Sequence, residues 1–409
     1  GCLLLLTSIS AQADNTADQA SRALTESQCI ELALARPAVQ TLASSRIELA
    51  RSEILEAGRW PNPEFEISRE QLDRQTGDST ETSYWLSQKF ELSGQRRLRR
   101  QAAANRMEAA TRQSQAEQLS IEAETRSIFF QVLRQQRRLE AFSRWTRQLA
   151  DIGTVVRKRQ AAGDVSGYDT LRLSTELSAA QADVSREQAE FQRAWVELSA
   201  MLGGLAVSSA YTTVSGQLLP QPSDDLESLL KTLDQRPDLA RLESEVAAFD
   251  LDRRAGQRSW VPELTIGIGR KSIDDELGED SGLMLATGIS LPLFDRGQPE
   301  QQRATAESLI ARNRYLLARA NAAGEIRGRW QELSELTGVA WPRIQQTREE
   351  SSRLLRLAEV AYRGGEVGIL ELLDAYRRAH ESELQALEIA AAARRSRIEL
   401  DHLTGGISP

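Results

Sequence analysis

Cysteine and histidine are almost absent from this 409-residue sequence, which has two residues of each. His380 and His402 belong to no ligand motif, so we interpret each as an ordinary helix residue rather than a metal ligand. The sequence also contains no phosphate-binding loop, no nucleophile elbow and no convincing catalytic dyad. It therefore predicts no enzyme, no cofactor and no metal site.

Aromatic residues and long apolar runs are scarce as well. Only 5% of the residues are aromatic, while Ala, Leu, Arg, Gln and Glu dominate, which is typical of long helices. No run approaches the roughly 18–20 apolar residues of a membrane helix. The net charge is −8, and the arginine cluster at 95–100 has no interleaved aromatic residues, so nucleic-acid binding is not expected.

The first residues have the features of an export signal. Residues 1–13, GCLLLLTSISAQA, combine a short apolar run with an Ala-x-Ala end, which is typical of the second half of a secretory signal peptide. We interpret 1–13 as a residual signal peptide that is cleaved before Asp14. The exported chain then keeps only Cys29, so no internal disulfide is expected. If such a chain spans a membrane, it must do so with strands.

The sequence is internally duplicated with an offset of about 200 residues. Arg36-Pro37 matches Arg236-Pro237, and Trp60 matches Trp260. Further matches are FELSGQ (90–95) with LFDRGQ (293–298), MLGG (201–204) with LTGG (403–406), and the glycine turn at Gly163 with that at Gly365. Five landmarks in the same order indicate an internal repeat. The predicted segments are a first repeat over 14–206, a linker over 207–223, a second repeat over 224–406 and a tail over 407–409.

Each repeat has the same predicted order of elements: a helix, a β-hairpin, a long helix and a return helix. The first helices are predicted at about 26–58 and 224–257. Alternation of apolar with polar or small residues predicts four strands, within 63–69, 83–92, 263–269 and 283–293. The long helices are predicted at about 95–160 and 299–361, and the return helices at about 168–202 and 368–403.

The first long helix has a heptad pattern of apolar residues. Its members are Ile121, Ile128, Val132, Leu139, Phe142, Leu149 and Val156. This spacing predicts helices that pack at coiled-coil angles.

The four predicted strands of one chain are too few to close into a β-barrel, and open sheet edges are not tolerated in lipid. Because the smallest usual barrels have eight strands, a barrel shared between subunits is expected. Two hairpins that cap a soluble helical rod are the alternative.

This duplicated plan resembles the TolC-like outer-membrane efflux proteins over nearly all of 24–406. Three stretches are most similar to the CzcC-like heavy-metal branch: WPNPEFEIS (60–68), LSQKFELSGQRRLRRQA (86–102) and ISLPLFDRGQ (289–298). The resemblance implies a mainly α fold with a small β part. It implies a homotrimer in which a shared twelve-stranded β-barrel in the outer-membrane lipid, four strands per chain, continues into a long periplasmic coiled-coil tunnel.

The resemblance also implies a function and partners. It implies the passive exit duct of a tripartite efflux system of the Gram-negative outer membrane and periplasm. The partners would be a periplasmic adaptor (membrane fusion protein) and an inner-membrane pump of the resistance–nodulation–division type. The substrates implied by the branch are heavy-metal cations. The alternatives are a multidrug or type I secretion channel and a soluble periplasmic coiled-coil scaffold or adaptor.

Site residues follow from the resemblance by position. The turns that would dock with the adaptor at the periplasmic tip are Gly163, Asp164, Val165, Gly365, Glu366 and Val367. The channel gate would comprise Asp169, Tyr362, Glu371 and Asp374. Glu371 and Asp374 share a helix face, so three copies would form an acidic ring that attracts cations. The alternative is that these are solvated charges, with Asp374 paired to Arg377 or Arg378.

Overall fold

The structure is a computed structural model that describes residues 22–72, 78–204, 207, 210–275, 278–291, 293–294 and 296–406. The predicted signal peptide and the predicted tail lie outside these residues, as do parts of both predicted hairpin loops and of the predicted linker. The chain forms two compact units. The helical unit comprises Gly1–Gln40, Glu117–Leu233 and Ala322–Pro409, and the strand unit comprises Thr41–Ala116 and Asp234–Asn321. Each unit therefore contains parts of both predicted repeats.

Four antiparallel strands form the sheet of the strand unit. They are β2 (Glu64–Leu72), β3 (Ser79–Glu91), β5 (Glu263–Asp275) and β6 (Gly278–Ile289). Their order in the sheet is β2-β3-β5-β6, so the two predicted hairpins lie side by side. All four predicted strands are confirmed.

One face of this sheet is apolar and exposed. Its large side chains are between 41% and 77% exposed: Phe65, Ile67, Tyr84, Leu86, Ile266, Ile268, Leu283, Leu285 and Ile289. On the other face, Trp85 of β3 lies over Gly267 and Gly269 of β5, where an added Cβ would overlap its indole ring. The predicted alternation along the strands is therefore correct, and an aromatic ring fills the space above the two glycines.

The predicted first helix of each repeat is wrong as a single helix. In the first repeat, α1 (Glu26–Leu34) ends before α2 (Pro37–Gly58) begins. In the second, α5 (Leu226–Lys231) and a 3₁₀ turn precede α6 (Pro237–Gly256). Proline forces the residue before it out of the helical region, and Arg236 accordingly has φ −64° and ψ 128°. The Arg-Pro landmark of the duplication is thus a helix boundary in both repeats.

The first long helix is continuous, whereas the second is interrupted. Helix α3 (Gln95–Ala161) has 67 residues and is therefore about 100 Å long. In the second repeat, a π-helical turn over Leu336–Ala340 separates α7 (Gln298–Glu335) from α8 (Trp341–Gly364). Pro342 follows this turn and has no N–H for the helical ladder, so the backbone widens just before it. The predicted single helix over 299–361 is wrong at this point.

The return helices pack against α3 as the heptad pattern predicts. They are α4 (Gly167–Leu202) and α9 (Ile369–Leu403). Of the heptad residues, Val132, Leu149 and Val156 are fully buried, and Phe142 is 6% exposed. The other three, Ile121, Ile128 and Leu139, pack against a hydrophobic core of the helical unit. No helix among the described residues combines the length and the apolar character needed to cross a membrane.

A small parallel pair of strands was not predicted. Strand β1 (Arg22–Leu24) pairs with β4 (Tyr211–Val214), which lies inside the segment predicted as a linker. The chain after β4 is packed as well, because a Cβ added at Gly216 would meet Phe129 and Leu133 of α3 at 3.5 Å. Strands of three and four residues are too short to show the alternation from which the other strands were predicted.

Candidate functional site at the helix tips

The first turn lies where α3 ends and α4 begins, and it reverses the chain with a defined hydrogen-bond pattern. Gly163 has φ 85°, in the left-handed region that favours glycine. Its N–H donates to the Gln160 carbonyl at 2.9 Å, and the Asp164 N–H donates to the Arg159 carbonyl at 2.9 Å. These two bonds constitute a Schellman motif, which satisfies the last carbonyls of α3.

The second turn, between α8 and α9, repeats this pattern. Gly365 has φ 78°, and its N–H donates to the Tyr362 carbonyl at 3.1 Å. The Glu366 N–H donates to the Ala361 carbonyl at 2.8 Å. The duplicated glycines of the sequence therefore form duplicated turns with the same bonds.

Arg159 links the two turns within the helical unit. Its Nη1 donates to the Tyr362 carbonyl at 2.7 Å, and its guanidinium lies 5.2 Å from the centre of the Tyr362 ring. Val165 and Val367 are half-buried and pack against the nearby core, whereas Asp164 and Glu366 are exposed. Each turn thus presents a carboxylate to solvent and directs a valine inward.

Asp169 lies at the start of α4, next to its capping residue. The Asp169 N–H donates to Ser166 Oγ at 3.2 Å, and the Ser166 hydroxyl donates to Asp169 Oδ2 at 2.8 Å. Asp169 is the third residue of α4, where a negative charge stabilises the positive end of the helix. The side chain is half-buried, so its carboxylate is only partly solvated.

Glu371 has the equivalent position in α9. It is the third residue of that helix, and its Oε2 lies 3.0 Å from the position of a Cβ added at Gly368, the N-cap residue. The carboxylate therefore folds back towards the helix start, as Asp169 does in the first repeat. Asp169 and Glu371 therefore occupy equivalent positions, each as the third residue of a return helix.

Asp374 is exposed and forms an ion pair within its own helix. Its Oδ2 lies 3.2 Å from Arg378 Nε. Arg377 instead pairs with Glu176 of α4, at 2.9 Å and 2.5 Å. A pair as exposed as that between Asp374 and Arg378 contributes little, about 0.2–1 kcal/mol, and leaves the carboxylate accessible.

Tyr362 is buried, with 4% of its surface exposed, and its hydroxyl has no hydrogen-bond partner among the described residues. Burial raises the pKa of this phenol, and the Asp169 carboxylate raises it further, while Arg159 opposes both. Tyr362 is therefore neutral at physiological pH. Of the four predicted gate residues, Asp169 lies close enough to Tyr362 for its charge to act on the phenol.

Sequence reasoning did not identify Arg159 or the cavity beside Tyr362. This cavity of about 230 Å³ is lined by Asp151, Glu359 and Tyr376 among others, and the Tyr376 hydroxyl donates to Glu359. Arg159 belongs to the basic last turn of α3. Its contact with the second turn joins residues about 200 positions apart, which no local pattern could reveal.

The histidines lie away from any ligand cluster. Within the described ranges, no group of three or more His, Cys, Asp or Glu side chains could hold a metal ion. His380 stacks on Trp145 with ring centres 5.5 Å apart and lies edge-on to Phe142 at 4.7 Å. Burial in this aromatic slot lowers the pKa of His380, which favours the neutral ring.

Comparison of the chain with known protein families also shows the duplication that is seen in the two turns. A family model described as "Outer membrane efflux protein" matches residues 30–204 and 229–406. The chain belongs to this family. One matched segment falls in each predicted repeat, so the internal duplication, the efflux function and the outer-membrane location are confirmed.

Several curated proteins are similar over most of the chain. The cobalt-zinc-cadmium resistance protein CzcC of Cupriavidus metallidurans is 25% identical over 393 residues, covering 95% of this chain and 91% of that protein. The nickel-cobalt-cadmium resistance protein NccC of Alcaligenes xylosoxydans is 26% identical, covering 75% and 70%. The pyoverdine export protein OpmQ of Pseudomonas putida is 24% identical, covering 93% and 85%.

Solved structures confirm the fold. The outer-membrane channel OprN matches with a TM-score of 0.77 at 20% identity, covering 93% of this chain and 90% of that chain. The CmeC outer membrane channel of Campylobacter jejuni matches with a TM-score of 0.75 at 16% identity, covering 93% and 85%. The predicted TolC-like fold, mainly helical with a small sheet, is therefore correct.

The reversal at the second turn can be tested at two adjacent glycines. Gly365→Ala places a Cβ on a left-handed residue, which should cost about 1–2 kcal/mol of unfolding free energy. Gly364→Ala is the matched control, because its φ is not positive and its Cβ would only make an ordinary 3.8 Å contact with Glu366. Urea unfolding of the purified protein measures both. Equal stability of the two variants would contradict the assigned turn.

Proposed function

We propose that this outer membrane efflux protein is the passive exit duct of a tripartite system for heavy-metal cations. The observation that carries the substrate class is its similarity to two proteins named for cobalt, zinc, cadmium and nickel resistance, one of which covers 95% of the chain. The exposed carboxylates at the helix tips support it, because negative charge attracts divalent cations. The duct catalyses no reaction and holds no resident metal.

The substrate class can be tested by deleting the gene in its host. The deletion should lower the minimal inhibitory concentrations of Co²⁺, Zn²⁺ or Cd²⁺ severalfold, and a plasmid copy should restore them. Susceptibility to dyes and hydrophobic antibiotics, and secretion of proteins into the medium, serve as controls. If metal tolerance is unchanged while drug susceptibility rises or secretion fails, the multidrug or type I secretion alternative is the better assignment.

Apolar seams on the edge helices support assembly from several copies. In the strand unit, β2 and β6 are the sheet edges, and the helices connected to them are α2 and α7. Exposed leucines recur on each at intervals of seven: Leu42 and Leu49 on α2, Leu309 and Leu316 on α7. Apolar residues spaced seven apart are the pattern by which one helix packs against a partner helix. A head-to-tail contact of α2 with α7 of the next copy would close a ring.

We take the ring to contain three copies, so that twelve strands form one closed sheet in the outer membrane. A single four-stranded sheet leaves two edges with unpaired backbone groups, which lipid does not tolerate. The exposed apolar face of the strands is the face that would contact lipid. Pairing β6 of one copy with β2 of the next satisfies both edges.

The lipid-facing assignment predicts opposite results at adjacent residues of β5. Ile266→Arg should cost about 2–4 kcal/mol if the residue lies near the bilayer midplane, because the charge would face hydrocarbon. Thr265→Arg places the same charge on the opposite face and should be tolerated. The amount of folded protein in outer-membrane fractions measures both. Normal assembly of the Ile266→Arg variant would show that this face does not meet lipid.

The tips are proposed to dock with a periplasmic adaptor, which connects the duct to a resistance–nodulation–division pump. Two turns per chain with the same backbone bonds would give six similar docking elements in a trimer. Asp164 and Glu366 are the exposed side chains of these turns, while Val165 and Val367 pack inward. The residues proposed to contact the adaptor are therefore the two acids and the glycines beside them.

Asp169, Glu371 and Asp374 are proposed to form the constricting gate, with the buried Tyr362 beneath. Glu371 and Asp374 are exposed and Asp169 is half-buried, so three copies would gather up to nine carboxylates. Such a ring favours cations and binds multivalent cations by charge alone. Arg378, which pairs with Asp374, is a neighbouring cation that would moderate repulsion within the ring.

Removing two of these charges per chain should change ion selectivity. In planar bilayers, Glu371→Gln/Asp374→Asn should lower cation selectivity and weaken block by trivalent cations added from the periplasmic side. The control Glu349→Gln/Glu350→Gln removes the same charge from exposed positions on α8. If the two double variants behave alike, Glu371 and Asp374 are solvated helix charges outside the constriction.

A further inference from the structure

The strand unit contains a cavity of about 460 Å³ with an unusual concentration of arginine. One arginine comes from each of four helices: Arg46 of α2, Arg106 of α3, Arg241 of α6 and Arg314 of α7. We call this space the arginine cavity. None of these residues belongs to the helix tips or to the exposed face of the strands.

The four helices are neighbours in the order α2, α3, α6, α7. Arg96 of α3 donates to the Gly58 carbonyl of α2 at 3.0 Å, and Gln95 of α3 donates to the Ala255 carbonyl of α6 at 3.1 Å. Ser308 of α7 donates to an α6 carboxylate at 2.8 Å. All four helices contribute residues to the lining of the cavity.

The described lining of the cavity contains more positive than negative side chains. Glu245 is the only carboxylate among the described lining residues, and it pairs with Arg241. Arg106 pairs with Asp252, whereas Arg314 makes no ion pair with any described residue. The described lining thus contains four guanidinium groups and one carboxylate. Guanidinium is the side-chain group best matched to the geometry of phosphate and carboxylate.

Part of the cavity lining is apolar. Ala109 and Ala248 in this lining are buried, and Phe249 is half-buried. The Arg106 guanidinium lies 5.9 Å from the centre of the Phe249 ring. A lining that combines guanidinium groups with apolar and aromatic side chains fits a molecule that carries both an anionic group and a flat or apolar part.

The position of the cavity argues for a soluble ligand rather than a lipid headgroup. Arg106 lies 11 residues beyond the start of α3, which is about 16 Å of helix. The headgroup layer on each side of a bilayer is only about 5–8 Å thick. Even with the strands fully in the membrane, the arginines would lie beyond that layer.

We propose that the arginine cavity is a binding site for a soluble anionic molecule with an apolar or aromatic part, bearing phosphate or carboxylate. If the edge helices close the ring as proposed above, with the arginine cavity on its inner side, the site lies on the export route. The inference of an interior location rests on the proposed function, whereas binding by the cavity does not.

Three small molecules test the charged and the aromatic parts of the site separately. Calorimetry measures the binding of each to the purified protein in a nonionic detergent. 1-Naphthyl phosphate carries both features, inorganic phosphate only the charge, and 1-naphthol only the ring. We expect 1-naphthyl phosphate to bind at least tenfold more tightly than either of the others. Phe249→Leu should weaken binding of 1-naphthyl phosphate and leave that of inorganic phosphate unchanged.

Arg46→Gln/Arg314→Gln should weaken binding of 1-naphthyl phosphate at least tenfold. The control Arg303→Gln/Arg312→Gln removes the same charge from two exposed positions of α7 outside the cavity lining and should have no effect. If the first double variant does not assemble, Arg314→Gln alone provides the comparison, since its side chain forms no ion pair with a described residue.

Absence of saturable binding by 1-naphthyl phosphate, or an equal loss in the control, would overturn the proposal. Because binding is measured on the purified protein, that result would leave the exit-duct proposal standing. Conversely, unchanged metal tolerance after gene deletion would contradict the proposed exit duct for heavy-metal cations. It would leave the proposed binding site in the arginine cavity standing.

Discussion

The helical unit depends on reversing a long helix within a few residues, and glycine makes this possible in both repeats. At Gly163 and Gly365, the backbone enters the left-handed region and two N–H groups satisfy the last carbonyls of the preceding helix. The position of this turn fixes where each return helix begins. It therefore also fixes Asp169 and Glu371 as third residues of α4 and α9, where the helix start favours a carboxylate.

Once the helices run back on one another, ion pairs complement a core that has few aromatic residues. Arg138 of α3 is bonded to Glu187 of α4 at 2.9 and 3.0 Å and to Glu388 of α9 at 2.9 Å. The bonds from Arg138, together with the charge of Arg186, hold the pKa of the buried Glu187 below its usual value. Because Glu187 has little access to water, it needs this partner, and one arginine thereby fixes both return helices against the first long helix.

Helices and strands that follow a periodic residue pattern were predicted correctly from the sequence. Helix breaks that depend on a single residue, and contacts between distant residues, were not predicted. Alternation predicted the strands and heptads predicted the long helices, because burial on one face imposes a period on many residues at once. The break at Arg36-Pro37 and the π turn before Pro342 interrupt otherwise regular patterns. The contact of Arg159 with Tyr362 carries no periodic signal, so the structure was needed to find the link between the two turns.

The two proposed sites carry opposite charges, and this constrains what the chain can export. Carboxylates dominate at the tips, where Glu371 and Asp374 are exposed, whereas arginines dominate the cavity of the strand unit. A bare divalent cation would be attracted by the first site and repelled by the second. Each surface therefore favours one kind of charge: the carboxylates at the tips favour cations, and the arginines of the cavity favour anionic groups. If both proposals hold, a cargo that carries a single kind of charge is favoured by only one of the two sites.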